Sequence, residues 1–251
     1  MYKTITTTFW LAFSLPFLLW FGGDCMAQDI DSTTPIQGID VSHYQGTVHW
    51  SKVAADKLPF AIAKATGGET YTDPNFHNNW HGMRENGIIR GAYHFFYAGD
   101  DPVDQALNYL KTVGSFKKTD MPPLLDVEIT DGVAADELLK RVLVWLAEVE
   151  KRTGRIPIVY SDVYFGQTYL TSPELAKYPL WIADYSADVQ GVPSPWQQKG
   201  WSLWQYSQSG KVDGIEGDVD MDQFNGTLAE FKAFIATTVV TNNLCEGKNN
   251  D

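Results

Sequence analysis

An irregular α/β barrel is the fold this chain predicts, and three observations carry that reading. From residue 36 onward, apolar runs of strand length alternate with helical patterns, which implies a parallel sheet with crossover helices. Eight such runs in about 220 residues suit a closed barrel better than an open doubly wound sheet. The last three runs leave no room for full helices between them. The expectation is therefore a TIM-like barrel of five βα units followed by three strands with little helix.

Residues 1–27 stand apart from the barrel. Lys3 precedes an apolar run from Phe9 to Phe21, and Cys25-Met26-Ala27 offers a small-x-small cleavage site, the layout of a secretory signal peptide with Gln28 first in the mature chain. The run is too short and too weakly flanked to be preferred as a membrane span. A lipoprotein signal ending at Cys25 is disfavoured by Asp24 directly before it. The mature protein is thus expected to be secreted or periplasmic. A linker (28–35), the barrel (36–236) and a polar tail (237–251) follow.

Within the barrel, Ile36 to Val41 reads as the first strand and Phe60 to Ala65 as the second. Pro74 to Asn86 is a helix, with Pro near its start and Asn86-Gly87 at its end. Ile88 to Tyr97 is the third strand. Asp101-Pro102 opens a helix to about Val113, with Ala106, Leu107, Leu110 and Val113 on one stripe. Leu124 to Ile129 is the fourth strand. Ala134 to Arg152 is a helix with Leu138, Val142, Trp145, Leu146 and Val149 on its apolar face and Gly154 as its stop. Ile156 to Tyr160 is the fifth strand, followed by a short helical stretch from Asp162 to Leu170. Leu180 to Tyr185, Trp201 to Tyr206 and Val219 to Phe224 are the last three strands, and Leu228 to Ala236 is a final helix.

The net charge of −12 survives loss of the leader, because Lys3 and Asp24 leave together. An acidic chain argues against nucleic acid as a partner, since phosphate binding needs clustered Lys and Arg. Of the two cysteines only Cys245 would remain, so no internal disulfide forms and a thiolate metal site is disfavoured. His77 and His81 are four apart on a helix but lack the intervening Glu of a zinc protease. No metal and no cofactor are expected.

The chemistry-bearing residues are acids. Asp126 and Glu128 close the run Met121-Pro122-Pro123-Leu124-Leu125 at a strand's C-terminal end, where barrel enzymes place catalytic groups. Side chains alternate along a strand, so the two acids share a face while Leu125, Val127 and Ile129 take the other. Two neighbouring carboxyls repel, and one is held protonated, which is what acid-assisted cleavage of a glycosidic bond requires. Asp40 alternates with Ile39 and Val41, and Asp220 with Val219 and Met221, so both point into the barrel from the first and last strands. An inward Asp in an apolar strand must be paired, hydrogen-bonded or catalytic. Asp218 and Asp222 read as solvated loop acids. Tyr93, Phe95, Tyr97, Tyr160, Trp181, Tyr185, Trp204 and Tyr206 lie near predicted strand ends, and aromatics at 14% suit a groove that stacks on sugar faces.

In order and spacing, these stretches resemble the glycoside hydrolase family 25 lysozymes, the N-acetylmuramidases. The resemblance is carried by Gly38-Ile39-Asp40-Val41-Ser42 with Gln45-Gly46, Phe60-Ala61-Ile62-Ala63-Lys64-Ala65-Thr66 with Glu69, and Gly91-Ala92-Tyr93-His94-Phe95. It continues through Leu125-Asp126-Val127-Glu128, Pro157-Ile158-Val159-Tyr160-Ser161, Leu180-Trp181-Ile182-Ala183, Leu203-Trp204-Gln205-Tyr206 and Val219-Asp220-Met221-Asp222.

The resemblance implies a hydrolase that cuts the β-1,4 bond between N-acetylmuramic acid and N-acetylglucosamine. Glu128 would be the general acid, Asp126 its partner, and Asp40 and Asp220 the acids completing the site. Tyr93, Phe95, Tyr160, Trp181, Tyr185, Trp204 and Gln205 are the expected substrate contacts. Peptidoglycan glycan strands are the implied partner of a monomeric chain. Asp222 departs from the family, standing where many members carry Asn. Asp126 would either assist the substrate acetamido group or stabilise the oxocarbenium-like transition state, and carboxyl spacing does not choose between retention and inversion. A non-catalytic peptidoglycan or chitin binder and a chitinase-like hydrolase are the alternatives. The second is weakened because the residues before Asp126 are not the Asp-x-x-Asp-x-Asp-x-Glu run of that class.

Overall fold

A computed structural model of the protein describes Met1 and residues 34–240. The expected leader, most of the linker and the tail beyond residue 240 lie outside the described residues.

The barrel wall consists of β1 (Gln37–Val41), β2 (Phe60–Gly67), β4 (Ile89–Phe95), β5 (Leu124–Asp126), β6 (Ile158–Asp162), β7 (Leu180–Ala183), β8 (Leu203–Gly210) and β9 (Val219–Phe224). A two-residue strand, β3 (Tyr71–Thr72), pairs antiparallel with the end of β2. The sheet order is β1-β9-β8-β7-β6-β5-β4-β2-β3, and a further β1–β2 pairing closes the ring. β9 alone runs antiparallel to its neighbours β1 and β8, while the other wall strands are parallel.

The helices are α1 (Trp50–Ala55), α2 (Phe76–Glu85), α3 (Pro102–Val113), α4 (Ala135–Thr153), α5 (Val163–Tyr169) and α6 (Leu228–Thr237). Asp101 caps α3 by accepting from the backbone N–H groups of Val103 and Asp104, with Pro102 in the first turn. Gly154 ends α4 in the left-handed conformation, φ 63°. Five βα units can be traced, but the regular scheme is followed only loosely. α1 has six residues and α5 seven, and 3-10 turns at Pro173–Lys177 and Ser194–Trp196 occupy the connections flanking β7. Both turns begin at or beside a proline, and Pro173, Pro179, Pro193 and Pro195 break up these connections against a continuous amphipathic helix.

Strand alternation sorts the core into two layers. Ile39, Val41, Ala61, Ala63, Leu125, Val127, Val159 and Ile182 face outward and pack against helix residues such as Tyr109, Leu138, Val142 and Trp145. Phe60, Ile62, Tyr93, Leu124, Ile158, Tyr160, Trp181 and Leu203 fill the interior. α6 packs its Phe231 and Ile235 into that inner layer, with Phe231 4.9 Å from Phe60 and 4.8 Å from Phe224 between ring centroids. Phe60 opens β2, so α6 covers the N-terminal end of the barrel. Gly38 is required there, since a Cβ would collide with the Phe60 ring. The helix continues to Thr237, and Val239 then bridges to Arg155.

Among the described residues, one ion pair has both partners buried. Arg90 donates from Nε and Nη2 to the two carboxylate oxygens of Asp120 at 2.9 and 3.0 Å, and lies over the Trp80 ring. Both residues are buried. Removing one partner strands a buried charge, so Asp120→Ala should destabilise the fold by about 3–5 kcal/mol in urea denaturation. A loss below about 1 kcal/mol would show that water replaces the carboxylate.

Candidate active site

Asp126 is the last residue of β5, and Glu128 lies two residues beyond it. Asp40 is the penultimate residue of β1, and its partner across the antiparallel ladder is Asp220 of β9. Directly opposed like charges destabilise a sheet, which marks this pairing as one kept for a reason other than stability. Four acids from three distant segments therefore meet at the end of the barrel opposite α6. Asp40 and Asp126 are buried, whereas Glu128 and Asp220 are half-buried.

Burial is the main force on their protonation. It pushes the Asp40 carboxyl well above the usual range, and Asp222, Asp220 and Asp126 add to the effect while a hydrogen bond from Gln205 opposes it. Burial raises Asp126 as well, with Glu128 adding and Lys64 opposing. Glu128 is raised by burial, then by Asp162 and Asp220, again against Lys64. Asp220 is pushed up to about 6 by burial. Acids this close titrate as a group, so their protons belong to the cluster and not to one side chain.

A buried polar relay ties the acids to the aromatic residues. Gln205 Nε2 donates to Asp40 Oδ2 at 2.6 Å, while Tyr160 and Tyr185 donate their hydroxyls to Gln205 Oε1 at 3.1 and 2.8 Å. Gln205 is thus spent on orienting Asp40 and two tyrosines. Tyr93 and Tyr160 contact Trp181 edge-on in the inner layer, at 6.3 and 4.6 Å between centroids. Trp181 is the floor of the site, not its wall. Phe95 is half-buried and Tyr185 exposed, so both reach solvent at the rim. Trp204 is not brought into the group. It packs on the outer layer beside Trp201, and its Nε1 donates to the Asp184 carbonyl at 2.7 Å.

Asp218 is exposed and paired with Lys211 at 2.7 Å, as a rim acid should be. Asp222 contradicts the expectation of a solvated acid. Its side chain is fully buried, Oδ1 accepts from Trp181 Nε1 at 2.8 Å, and Oδ2 has no hydrogen-bond partner. The reason is the direction of β9: running against its neighbours, it carries each successive residue deeper, so Asp222 lies below Asp220. Burial holds its carboxyl well above the ordinary range, which favours the neutral acid. A carboxyl raised in the folded state favours folding fully below its unfolded value, and that gain is lost as pH rises through the folded value. Asp222→Asn, which mimics the neutral form, should therefore raise the melting temperature at pH 7 by about 3 °C, with little change at pH 4. An equal shift at both pH values would show that protonation is not the cause.

Sequence reading passed over two further charged groups. Asp162 caps α5 through Phe165 N–H at 2.8 Å and raises Glu128 from the neighbouring strand. Lys64 opposes the upward push on both Asp126 and Glu128. His94 faces the outer layer, stacked on Trp145 at 5.5 Å and bonded to Thr66 and Gln105, and burial lowers it to about 4. Among the described residues no group of three His, Cys, Asp or Glu is arranged to hold a metal ion.

The chain is similar to several known proteins. Residues 39–215 match the profile described as "Glycosyl hydrolases family 25". The chain is 43% identical over 214 residues to the Escherichia coli K12 protein YegX, covering 82% of this chain and 75% of that one. It is 34% identical over 217 residues to lysozyme M1 of Streptomyces globisporus, covering 82% and 73%. Among solved structures, the bacterial lysozyme of Streptomyces coelicolor superposes with a TM-score of 0.76 at 33% identity, covering 82% of this chain and 99% of that one. A family 25 glycosyl hydrolase of Bacillus anthracis gives 0.71 at 28%, covering 82% and 95%. With the profile spanning Asp40, Asp126 and Glu128, and relatives above 30% identity along four-fifths of its length, this chain belongs to glycosyl hydrolase family 25.

Proposed function

We propose that the protein is a lysozyme that hydrolyses the β-1,4 bond between N-acetylmuramic acid and N-acetylglucosamine in peptidoglycan. The observation that carries the proposal is the meeting of Asp126 and Glu128 with the opposed pair Asp40 and Asp220 at one barrel end. The names of relatives point the same way: lysozyme M1, and the N,O-diacetylmuramidase of Chalaropsis at 27% identity.

In this reading Glu128, the more accessible of the β5 acids, gives its proton to the glycosidic oxygen as the bond to C1 breaks. The substrate's acetamido oxygen closes on C1, and Asp126 accepts the acetamido N–H. Its Oδ1 has no hydrogen-bond partner among the described residues, so the carboxyl has acceptor capacity left for that bond. Water then opens the ring and returns a proton to Glu128, which gives retention at the anomeric carbon. Asp40, fixed by Gln205, and the half-buried Asp220 keep the negative potential that favours the cationic transition state. Tyr93, Phe95, Tyr160 and Tyr185 border the sugar, with Trp181 beneath. No step calls for a metal or cofactor.

The signal-like segment 1–27 supports action outside the cytoplasm, where the wall is. Muropeptide analysis by mass spectrometry tests the proposal: products with N-acetylmuramic acid at the reducing end are expected. Reducing-end N-acetylglucosamine, release of chitin oligomers, or wall binding without cleavage would each overturn it.

A further inference from the structure

Lys64 is an inward cation that no ion pair among the described residues accounts for. It lies on β2 in register with Tyr93 of β4, and the strand bulges immediately after it, between Lys64 and Thr66. The bulge turns Thr66 toward His94 on the outer face, where the two bond at 2.7 Å. Lys64 is therefore the last side chain that β2 sends into the mouth of the barrel, and bulges are used beside active sites to aim a side chain in this way.

Its ammonium rests on aromatic rings, 4.6 Å from the centroid of Phe95, 5.8 Å from Tyr93 and 6.0 Å from Tyr71. Among the described residues it makes no ion pair, although Asp126 is the register partner of Phe95. The rings thus hold a positive charge near the acids without letting it collapse onto one of them. The titratable groups around it are Tyr71 of β3, Tyr93 of β4, and Asp126 and Glu128 at the end of β5, with Asp40 and Asp220 farther across the mouth. His94 of β4 faces the other way, stacked on Trp145 of α4.

The geometry points to Lys64 as a positioning residue for the acid pair: its ring-held charge keeps one carboxyl of Asp126 and Glu128 ionised while the other carries the proton. The inference rests on the lysozyme reading and deepens it. Four acids gather here, and Lys64 is the cation that acts on both Asp126 and Glu128. Removing a cation penalises the ionised form of both carboxyls, so both limbs of the pH–rate profile should move upward together.

Lys64→Met and Lys64→Arg separate charge from packing. Methionine fills the same space and makes favourable sulfur contacts with aromatic rings, so the fold should survive. In Lys64→Met both limbs of the kcat profile on cell walls should rise by about one pH unit, lowering the rate on the acid limb about tenfold. Lys64→Arg keeps the charge and should leave both limbs in place. Carboxyl 13C shifts of Asp126 and Glu128, followed by NMR without substrate, should show the same upward displacement in Lys64→Met. Limbs and carboxyl titrations that coincide with wild type would overturn the inference, even if the rate falls, because Lys64 would then act by packing alone. A wild-type protein that releases no muropeptides would sink the lysozyme reading instead, and the carboxyl titration would still decide the role of Lys64.

Discussion

Glu128→Gln is expected to lower kcat on peptidoglycan about a thousandfold while leaving the fold and wall binding intact. The amide keeps the size and much of the hydrogen bonding of the carboxyl, but it has no proton acidic enough to give to a departing sugar oxygen. Glu128 lies beyond the end of β5, half-buried, and carries none of the side-chain bonds that hold the barrel together. Circular dichroism and melting temperature should therefore match wild type. Sedimentation with insoluble walls measures binding, and loss of turbidity measures cleavage. A variant that clears walls at the wild-type rate would remove Glu128 from the acid role. Because burial raises Glu128, with Asp162 and Asp220 adding to the effect, the wild-type rate should hold above the normal carboxylate range and fall on the alkaline side as this proton is lost.

Asp126→Asn is expected to cost about a hundredfold in kcat, with little change in KM. The lost interaction is made mainly in the transition state, when the acetamido N–H acquires positive character and needs an anion facing it. This loss should accompany a gain in stability. Asp126 is buried and raised in the folded state, so at pH 7 the fold bears a cost that asparagine removes, and the difference should shrink as pH falls toward the unfolded carboxylate value. A variant that is inactive and also less stable at pH 7 would mean that Asp126 serves the fold instead of the reaction.

The inward placement of Asp40 and of the Asp126–Glu128 pair was legible in the sequence because each alternates with apolar residues that must face the helices. The direct opposition of Asp40 and Asp220 was legible only as far as strand neighbourhood allowed, since register comes from closing the ring. Asp222 was misread because alternation gives the face of a strand but not the depth, and depth reverses when a strand runs the other way. Trp204 and Gln205 are adjacent, so alternation forbids both from facing the mouth. Lys64 went unnoticed because its value lies in what surrounds it: three rings from two other strands and a bulge that no local pattern announces. α1 and β3 are too short to show a period.

Because α6 seals the far end of the barrel and Val239 bridges to Arg155 on that side, this face of the molecule lies away from the acids. A fluorescent reporter or a solid support coupled to that face would trail behind the molecule as it presses against an insoluble mesh. Immobilised through that side, the protein should still present its working mouth outward.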